Sequence, residues 1–397
     1  MSGLPREEPS DQQHSSSSAI DATNLIRNQP PTKVLMKKPL TIDTESLELK
    51  ENEKVQLYRH QVAGHYPIFW KSGVICKPIQ KNELEFYQYI SEHLKDIIPF
   101  VPRYLGVVTM NYGDLPPTPT EIKTKGSAMA EFPEQSSQTA EFNRFSKWGL
   151  RCHQKKKSAL KRPVVKYIKL EDLTMPFSRP NILDLKIGSR VYGVGDDPDK
   201  VKRKIQKSAK TTSKSLGLRL CGMQVYNSDD DEYVFRDKFY GRMLDEKGFY
   251  AAIEEFFTHE GTLRVAVVRS FLRQIEKLLQ VVAEQKSFQF FSSSLLFICE
   301  GCRPSDQKNL HGGVKNKDFE RIDLRFIDFA QSARDTEKKG VDEGFLMGLE
   351  NILSHLKTLE AKGKRHNAEA QKGEGDAEDS STRTEQNTAR KRKLEVA

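Results

Sequence analysis

Hydrophobic and polar positions change period several times along this chain, and each change marks an element. Residues 1 to about 50 are rich in Ser, Gln, Pro and charge, with no periodicity, and predict a disordered tail. From Val55 to Val108 the pattern turns globular. Gly73–Ile79 (GVICKPI) predicts a strand, and Asn82–Leu94 (NELEFYQYISEHL) a helix with Leu84, Tyr87 and Ile90/Ser91 along one face. Residues 111 to about 150 become polar again and read as an insertion. Pro163–Thr174 predicts a strand running into a loop. Next comes Pro180–Gly188 (PNILDLKIG), short, bounded by Pro and Gly, and rich in branched apolar residues, so a strand is predicted. Alternation sends Leu183, Leu185 and Ile187 to one face and Ile182, Asp184 and Lys186 to the other. The two charges then stand about 7 Å apart on a mostly apolar strand. Such a pair is costly unless it is ion-paired or lines a cleft.

The second half reads as alternating helices and strands. Asp199 to about Ala209 predicts a helix with Val201, Ile205 and Ser208 on one side. Lys200, Arg203, Lys204, Lys207 and Lys210 occupy the opposite arc. AAIEEFFTH and Arg269–Gln285 predict amphipathic helices, Phe288–Gly301 and Arg321–Ala330 strands, and Asp342–Lys362 a closing helix. The organisation predicted is α+β in two lobes: a tail over 1–50, a first lobe over 51–175 carrying the insertion, a second lobe over 176–362, and a charged tail over 363–397.

Composition narrows the function. No run of 18 apolar residues occurs, so membrane insertion is not expected. The N-terminal stretch lacks an apolar signal region, and Ser2 excludes a myristoylation start. Cys76, Cys152, Cys221, Cys299 and Cys302 are too scattered for a disulfide framework, which points to a cytoplasmic or nuclear setting. Residues 186–220 hold ten Lys/Arg against three Asp, more than two thirds of the chain's net +9. That density predicts a polyanionic partner: nucleic acid, an anionic membrane or a small polyphosphate. No aromatic stacking pattern interleaves the lysines, which argues against nucleic acid. Ala389–Lys393 (ARKRK) fits either a nuclear import signal or a solvated tail.

Candidate chemistry follows one order. There is no Walker A motif, Gly193-Val194-Gly195 reads as an ordinary loop, and Cys299-x-x-Cys302 is a lone pair at zinc spacing with only His311 to invoke. Lys77 ends a predicted strand and Glu83 opens the helix that follows, the arrangement by which protein kinases steady the lysine that grips ATP phosphates. Asp328 in FIDFA follows apolar residues, where a kinase-like fold sets its metal-binding aspartate.

Pro180, Asp184, Lys186 and Gly188 fit the P-x-x-x-D-x-K-x-G signature of the inositol polyphosphate kinases, which the chain resembles. Supporting matches are Ser292–Leu296 (SSSLL), Ile327–Ala330 (IDFA) and His60–His65 (HQVAGH). Within the family the chain looks most like the inositol hexakisphosphate kinases, through WGLRCH (Trp148–His153), CKP (Cys76–Pro78), LGLRLCGMQVY (Leu216–Tyr226), FYGR (Phe239–Arg242) and GLENIL (Gly348–Leu353). Ala63 in QVAGH resembles the multikinase branch instead, and Gln331 stands where relatives tend to have histidine. The resemblance spans about Val55 to Leu356.

It implies a two-lobed, protein-kinase-like fold with an ATP cleft between the lobes. Lys77 would hold ATP phosphates with Glu83 in support, and Glu171-Asp172-Leu173 would be the hinge, touching adenine through the backbone of Glu171 and Leu173. Asp328, with Ser293 or Ser294, would bind Mg²⁺. Asp184 would sit at the nucleotide, and Lys186 would bridge the transferred phosphate and the inositol substrate. Lys200, Arg203, Lys204, Lys207 and Lys210 would grip that substrate. The implied reaction adds a phosphate from ATP to inositol hexakisphosphate, giving a diphosphoinositol. The alternatives are a multikinase acting on hydroxyls of inositol tris- or tetrakisphosphate, and a non-catalytic polyanion-binding module. A monomer without direct nucleic-acid contact is expected.

Overall fold

The computed structural model describes residues 55–111, 151–152, 164–302, 319–334 and 340–366. The expectations for the tail over 1–50, for nearly all of the 111–150 insertion, for ARKRK and for His311 lie outside the described residues, as does the 363–397 tail except for 363–366, which continue the last helix instead of leaving it. The described residues fall in one compact unit. Among them, no helix is long and apolar enough to cross a membrane.

Five strands form the first sheet: β1 (Gln56–Leu57), β2 (Phe69–Lys71), β3 (Val74–Pro78), β4 (Tyr104–Asn111) and β5 (Val164–Glu171). They lie in the order β1-β2-β3-β5-β4, all antiparallel. β2 and β3 close through Ser72 and Gly73, both left-handed (φ 52° and 76°), the two-residue turn that suits strand twist. Helix α1 (Lys81–His93) buries Glu83, Phe86, Tyr87 and Ile90. The expected stripe through Leu84 and Ser91 is displaced by one position: Leu84 is half-buried and Ser91 exposed. The spacing 83, 86, 87, 90 is helical, but a charge at its first place hides the pattern in a hydropathy reading.

The second lobe is built on β6 (Pro180–Ile187), followed by α2 (Pro198–Ser208), α3 (Thr212–Ser215), β7 (Leu218–Asn227), β8 (Glu232–Arg236), α4 (Lys238–Met243) and α5 (Glu246–Phe257). A hairpin of β9 (Thr258–His259) and β10 (Thr262–Leu263) leads into α6 (Val265–Glu284). Then come β11 (Phe288–Gln289), β12 (Ser294–Glu300), β13 (Ile322–Ile327), β14 (Ala333–Arg334) and a last helix, α7, over 343–366. β11 pairs with β14, and the main sheet runs β13-β12-β6-β7-β8. Three predicted elements are shorter or longer than expected. Phe288–Gly301 is not one strand: it breaks at Ser292, which is left-handed (φ 59°) and whose carbonyl accepts from Lys186 Nζ at 2.8 Å. Arg321–Ala330 stops at Ile327 because Asp328 is also left-handed (φ 67°). α6 starts four residues before Arg269, its apolar stripe extending back through Val267 and Val268.

Both faces of β6 are used as the alternation predicts. Leu183, Leu185 and Ile187 enter the main core, while Ile182 joins a second cluster with Val62, Leu173, Phe177 and Ile298. The main core does not stop at the lobe boundary. Phe86, Tyr87 and Ile90 of α1 and Ile168 and Leu170 of β5 belong to it, together with Phe257, Phe271, Phe326 and Phe345. Phe86 stacks on Phe329 with ring centroids 3.8 Å apart. A fully buried phenylalanine contributes about 1.5–3 kcal/mol, so this aromatic contact ties the lobes firmly at the back of the cleft.

Candidate active site

Lys77 is the next-to-last residue of β3, and its ammonium donates to Glu83 Oε1 at 2.9 Å and to Asp328 Oδ1. Glu83 is 1% exposed, so its charge is bearable only with that partner. Burial alone would pull the Lys77 pKa down, but the Asp328 and Glu83 carboxylates overcome it and hold it well above the ordinary value. Glu83 goes the other way: burial outweighs Lys77 and raises its carboxyl. Burial also works to raise Asp328, yet Lys77 prevails and keeps it below the usual range.

Asp184 is buried on β6, in register with Leu296 of β12 and Gly222 of β7. Burial, with Asp328 adding, pushes its carboxyl up to about 7 against the opposing Ser294 hydroxyl, Lys186 and Lys77. Its Oδ1 has no hydrogen-bond partner among the described residues. Lys186 is in register with Ser294, and Ser294 with Ile327, so one row of the sheet runs from Lys186 to the residue before Asp328. Burial lowers the Lys186 pKa, and Arg219 assists. Lys77, Asp184, Lys186, Ser294 and Asp328 therefore share one site. Ser293 is fully buried in the turn next to it, its hydroxyl without a partner among the described residues.

The expected hinge is a hydrogen-bonded turn. Asp172 accepts from Tyr58 (3.2 Å), from Trp70 Nε1 (3.0 Å), and from the Thr174 backbone and hydroxyl (2.9 and 2.7 Å). Glu171 accepts from the Arg103 backbone at 2.9 Å, and Leu173 packs with Val62 and Phe177. A strap over residues 58–68 crosses from this lobe to the other. Gln61 braces it, donating to the Ala63 and Tyr66 carbonyls and accepting from Ile68 N. The strap lies on β7 at Gly222, where a Cβ would meet the Val62 carbonyl oxygen at 2.2 Å. His65, carried on the strap, sits among Lys238, Lys186, Asp328 and Arg242; burial and Lys238 lower its pKa.

The basic helix differs from expectation. α2 turns Val201, Lys204 and Ser208 inward, while Ile205 is 47% exposed. Lys204 substitutes for Ile205 because its stem can pack while its head reaches a carboxylate. Lys200 and Lys204 both pair with Asp196 at 2.7 Å. Arg203, Lys207 and Lys210 remain exposed, and Lys210 lies beyond the end of the helix. The five cations thus divide into two sets. Cys299 is in the core, its sulfur accepting from Arg264 at 3.6 Å.

A family-wide sequence model described as inositol polyphosphate kinase matches residues 167–357. Inositol hexakisphosphate kinase 3 of Mus musculus is 30% identical over 379 residues, covering 76% of this chain and 94% of that protein. The chain belongs to the inositol polyphosphate kinase family. It is an enzyme, a kinase. Inositol hexakisphosphate kinase 1 of Rattus norvegicus is 28% identical, with coverage of 76% and 92%. Among solved structures, the inositol phosphate multikinase Ipk2 of S. cerevisiae, in complex with ADP and Mn²⁺, superposes with TM-score 0.50 at 25% identity, over 72% of this chain and 98% of that one.

This kinase's sequence did not point to Asp172, Gln61, Gly222 or Asp196 as site-shaping residues. Asp172 stood in the expected hinge and Gln61 and Gly222 inside quoted motifs, but nothing local marked their roles: Asp172 and Gly222 meet partners more than a hundred residues away, while those of Gln61 and Asp196 lie within eight residues. A divalent cation fits the site on the structure's own terms. Asp328 stands close enough to Asp184 to raise its carboxyl, and Asp184 Oδ1 is unsatisfied. No group of three or more His, Cys, Asp or Glu suited to a metal occurs among the described residues. Two carboxylates with phosphates completing the shell is how Mg²⁺ is commonly held.

Proposed function

We propose that this kinase transfers the γ-phosphate of ATP to a phosphate oxygen of inositol hexakisphosphate, giving a diphosphoinositol. The observation that carries the reading is the convergence of Lys77, Asp184, Lys186 and Asp328 on one site of a chain that aligns along nearly the whole of a hexakisphosphate kinase. Lys77, fixed by Glu83, would hold the ATP phosphates. The backbone of Glu171 and Leu173 would meet the adenine, with Asp172 locking the turn. Asp328 and Asp184, with Ser294 and Ser293 alongside, would hold Mg²⁺. When bound, that ion supplies charge neutralisation on the phosphates. Lys186, its ammonium oriented by the Ser292 carbonyl, would bind between the transferred phosphoryl group and the acceptor. Arg203, Lys207 and Lys210 would draw in the polyanion.

An acceptor phosphate has its second pKa near 6. It is ionised at pH 7 and needs alignment and charge rather than a base. A second reading, a multikinase phosphorylating inositol hydroxyls, draws support from Asp184, whose carboxyl near 7 suits a general base, and from the structural likeness to a multikinase. Side-by-side turnover with Mg²⁺ and ATP separates them. Conversion of inositol hexakisphosphate to a more anionic product supports the first reading, and turnover of inositol trisphosphate alone supports the second. Silence with both removes the assignment.

A further inference from the structure

Asp196 precedes the basic helix and does something other than cap it. The cap is Asp197, which accepts from Lys200 N at 3.1 Å. The Asp196 side chain is 9% exposed and fully subscribed. Oδ1 takes the Lys200 ammonium at 2.7 Å, and Oδ2 takes Lys204 at 2.7 Å and the Gly193 backbone N–H at 3.1 Å. Lys200 is an ordinary i,i+4 neighbour, but Lys204 is eight residues on and has to lie back along two turns to arrive. The carboxylate is held far below its usual pKa by Lys200 and then Lys204, so the clasp stays charged throughout the working range. Arg203, Lys207 and Lys210 make no ion pair among the described residues. The loop behind the clasp is seated against the site: a Cβ on Gly193 would meet Gln331 Oε1 at 2.6 Å, three residues beyond Asp328.

On the reading that α2 faces an inositol polyphosphate, we propose that Asp196 is a specificity-determining residue that withholds Lys200 and Lys204 from the substrate. An internal carboxylate occupies two of the five cations, and the polyanion meets Arg203, Lys207 and Lys210. The logic is one of release. The product of a phosphoryl transfer to a polyphosphate carries more charge than the substrate, so every cation that grips one grips the other. Binding that is equal in ground and transition states lowers KM without raising kcat. Asp196 caps that uniform grip, and its effect grows with the number of phosphates on the ring.

The test is Asp196→Asn, which keeps the shape and the acceptor for Gly193 N–H but frees both lysines. Inositol hexakisphosphate alone, without nucleotide, is titrated calorimetrically into the full chain at two salt concentrations, and KM and kcat are measured separately. Hexakisphosphate binding should tighten about three- to tenfold, with a steeper salt dependence and a lower KM at a kcat that does not rise. Inositol trisphosphate should respond less. Asp196→Glu should resemble wild type, and adding Lys200→Met and Lys204→Met to Asp196→Asn should cancel the gain. Unchanged or weaker hexakisphosphate binding in an Asp196→Asn protein with wild-type melting overturns the proposal. Should that variant fail to fold, Lys200→Met/Lys204→Met in the otherwise native chain decides: little change in affinity supports the withholding, and a marked loss refutes it. Because binding is read without turnover, a wild type that binds hexakisphosphate but phosphorylates only trisphosphate defeats the reaction assignment and leaves this inference standing.

Discussion

Replacing Lys77 with methionine keeps the volume of the stem and removes one charge, which isolates what the ammonium does. Lys77 is the counter-ion of two carboxylates, Glu83 at 2.9 Å and Asp328. Glu83 is 1% exposed and cannot recover water in place of the lysine, whereas Asp328 is 35% exposed and can. Removing one partner of a buried pair costs about 3–5 kcal/mol. With Asp328 partly resolvated, the lower end, about 3 kcal/mol, is the expected loss. The cost depends on pH with a definite sign. Glu83 in the folded protein already titrates above its ordinary value because of burial, and loss of Lys77 raises it further. A carboxyl whose folded pKa is raised favours the folded state while protonated and loses that advantage as pH climbs through the raised value. The deficit of Lys77→Met should therefore be largest at pH 8 and shrink towards pH 5. Urea unfolding of wild type, Lys77→Met and Lys77→Met/Glu83→Gln at both pH values measures it. The double variant should regain at least half of the loss at pH 8 while remaining without turnover. A single variant as stable as wild type at pH 8, or a deficit identical at both pH values, refutes the counter-ion role.

Gly222→Ala drives a methyl group into the Val62 backbone. It should cost about 1–3 kcal/mol and lower turnover by lifting the strap; melting within experimental error of wild type would show that the strap is not seated there. Asp184, raised to about 7 by burial and Asp328, takes up a proton on folding between its ordinary pKa and 7. The ligand-free protein should lose stability as pH rises through that window, and Asp184→Asn should flatten the profile; parallel melting curves for the two would count against it. Lys186→Ala should abolish phosphoryl transfer with the fold retained by circular dichroism, and normal turnover would remove Lys186 from the site.

What could be read along the chain was whatever repeats within a few residues. β6 was legible because its period of two is framed by Pro180 and Gly188, and both its faces lie where alternation sends them. The pairing of Lys77 with Glu83 was legible because strand and helix are adjacent. Residues whose roles depend on distant partners were not. Asp172 reads as one acid in a hinge, yet its donors Tyr58 and Trp70 lie 114 and 102 residues earlier. Gly222 reads as one glycine in a strand, and its reason is the strap's backbone. Asp196 looks like one of three acids suited to a helix start, and only the fold shows Lys204 bending back to it. Ile205 was assigned inward on hydropathy alone, where a lysine that can both pack and pair took its place.

α1 is the helix that bears Glu83, and its other buried residues, Phe86, Tyr87 and Ile90, are sunk in the core shared by both lobes. In protein kinases the equivalent glutamate-bearing helix can be moved in and out, and that displacement is an on–off control. Here Phe86 lies against Phe329, the residue directly after Asp328, so rotating the helix away would tear open the centre of the molecule. The Lys77–Glu83 pair is therefore put in place by folding itself: the same aromatic packing that closes the core also sets the helix that carries the glutamate.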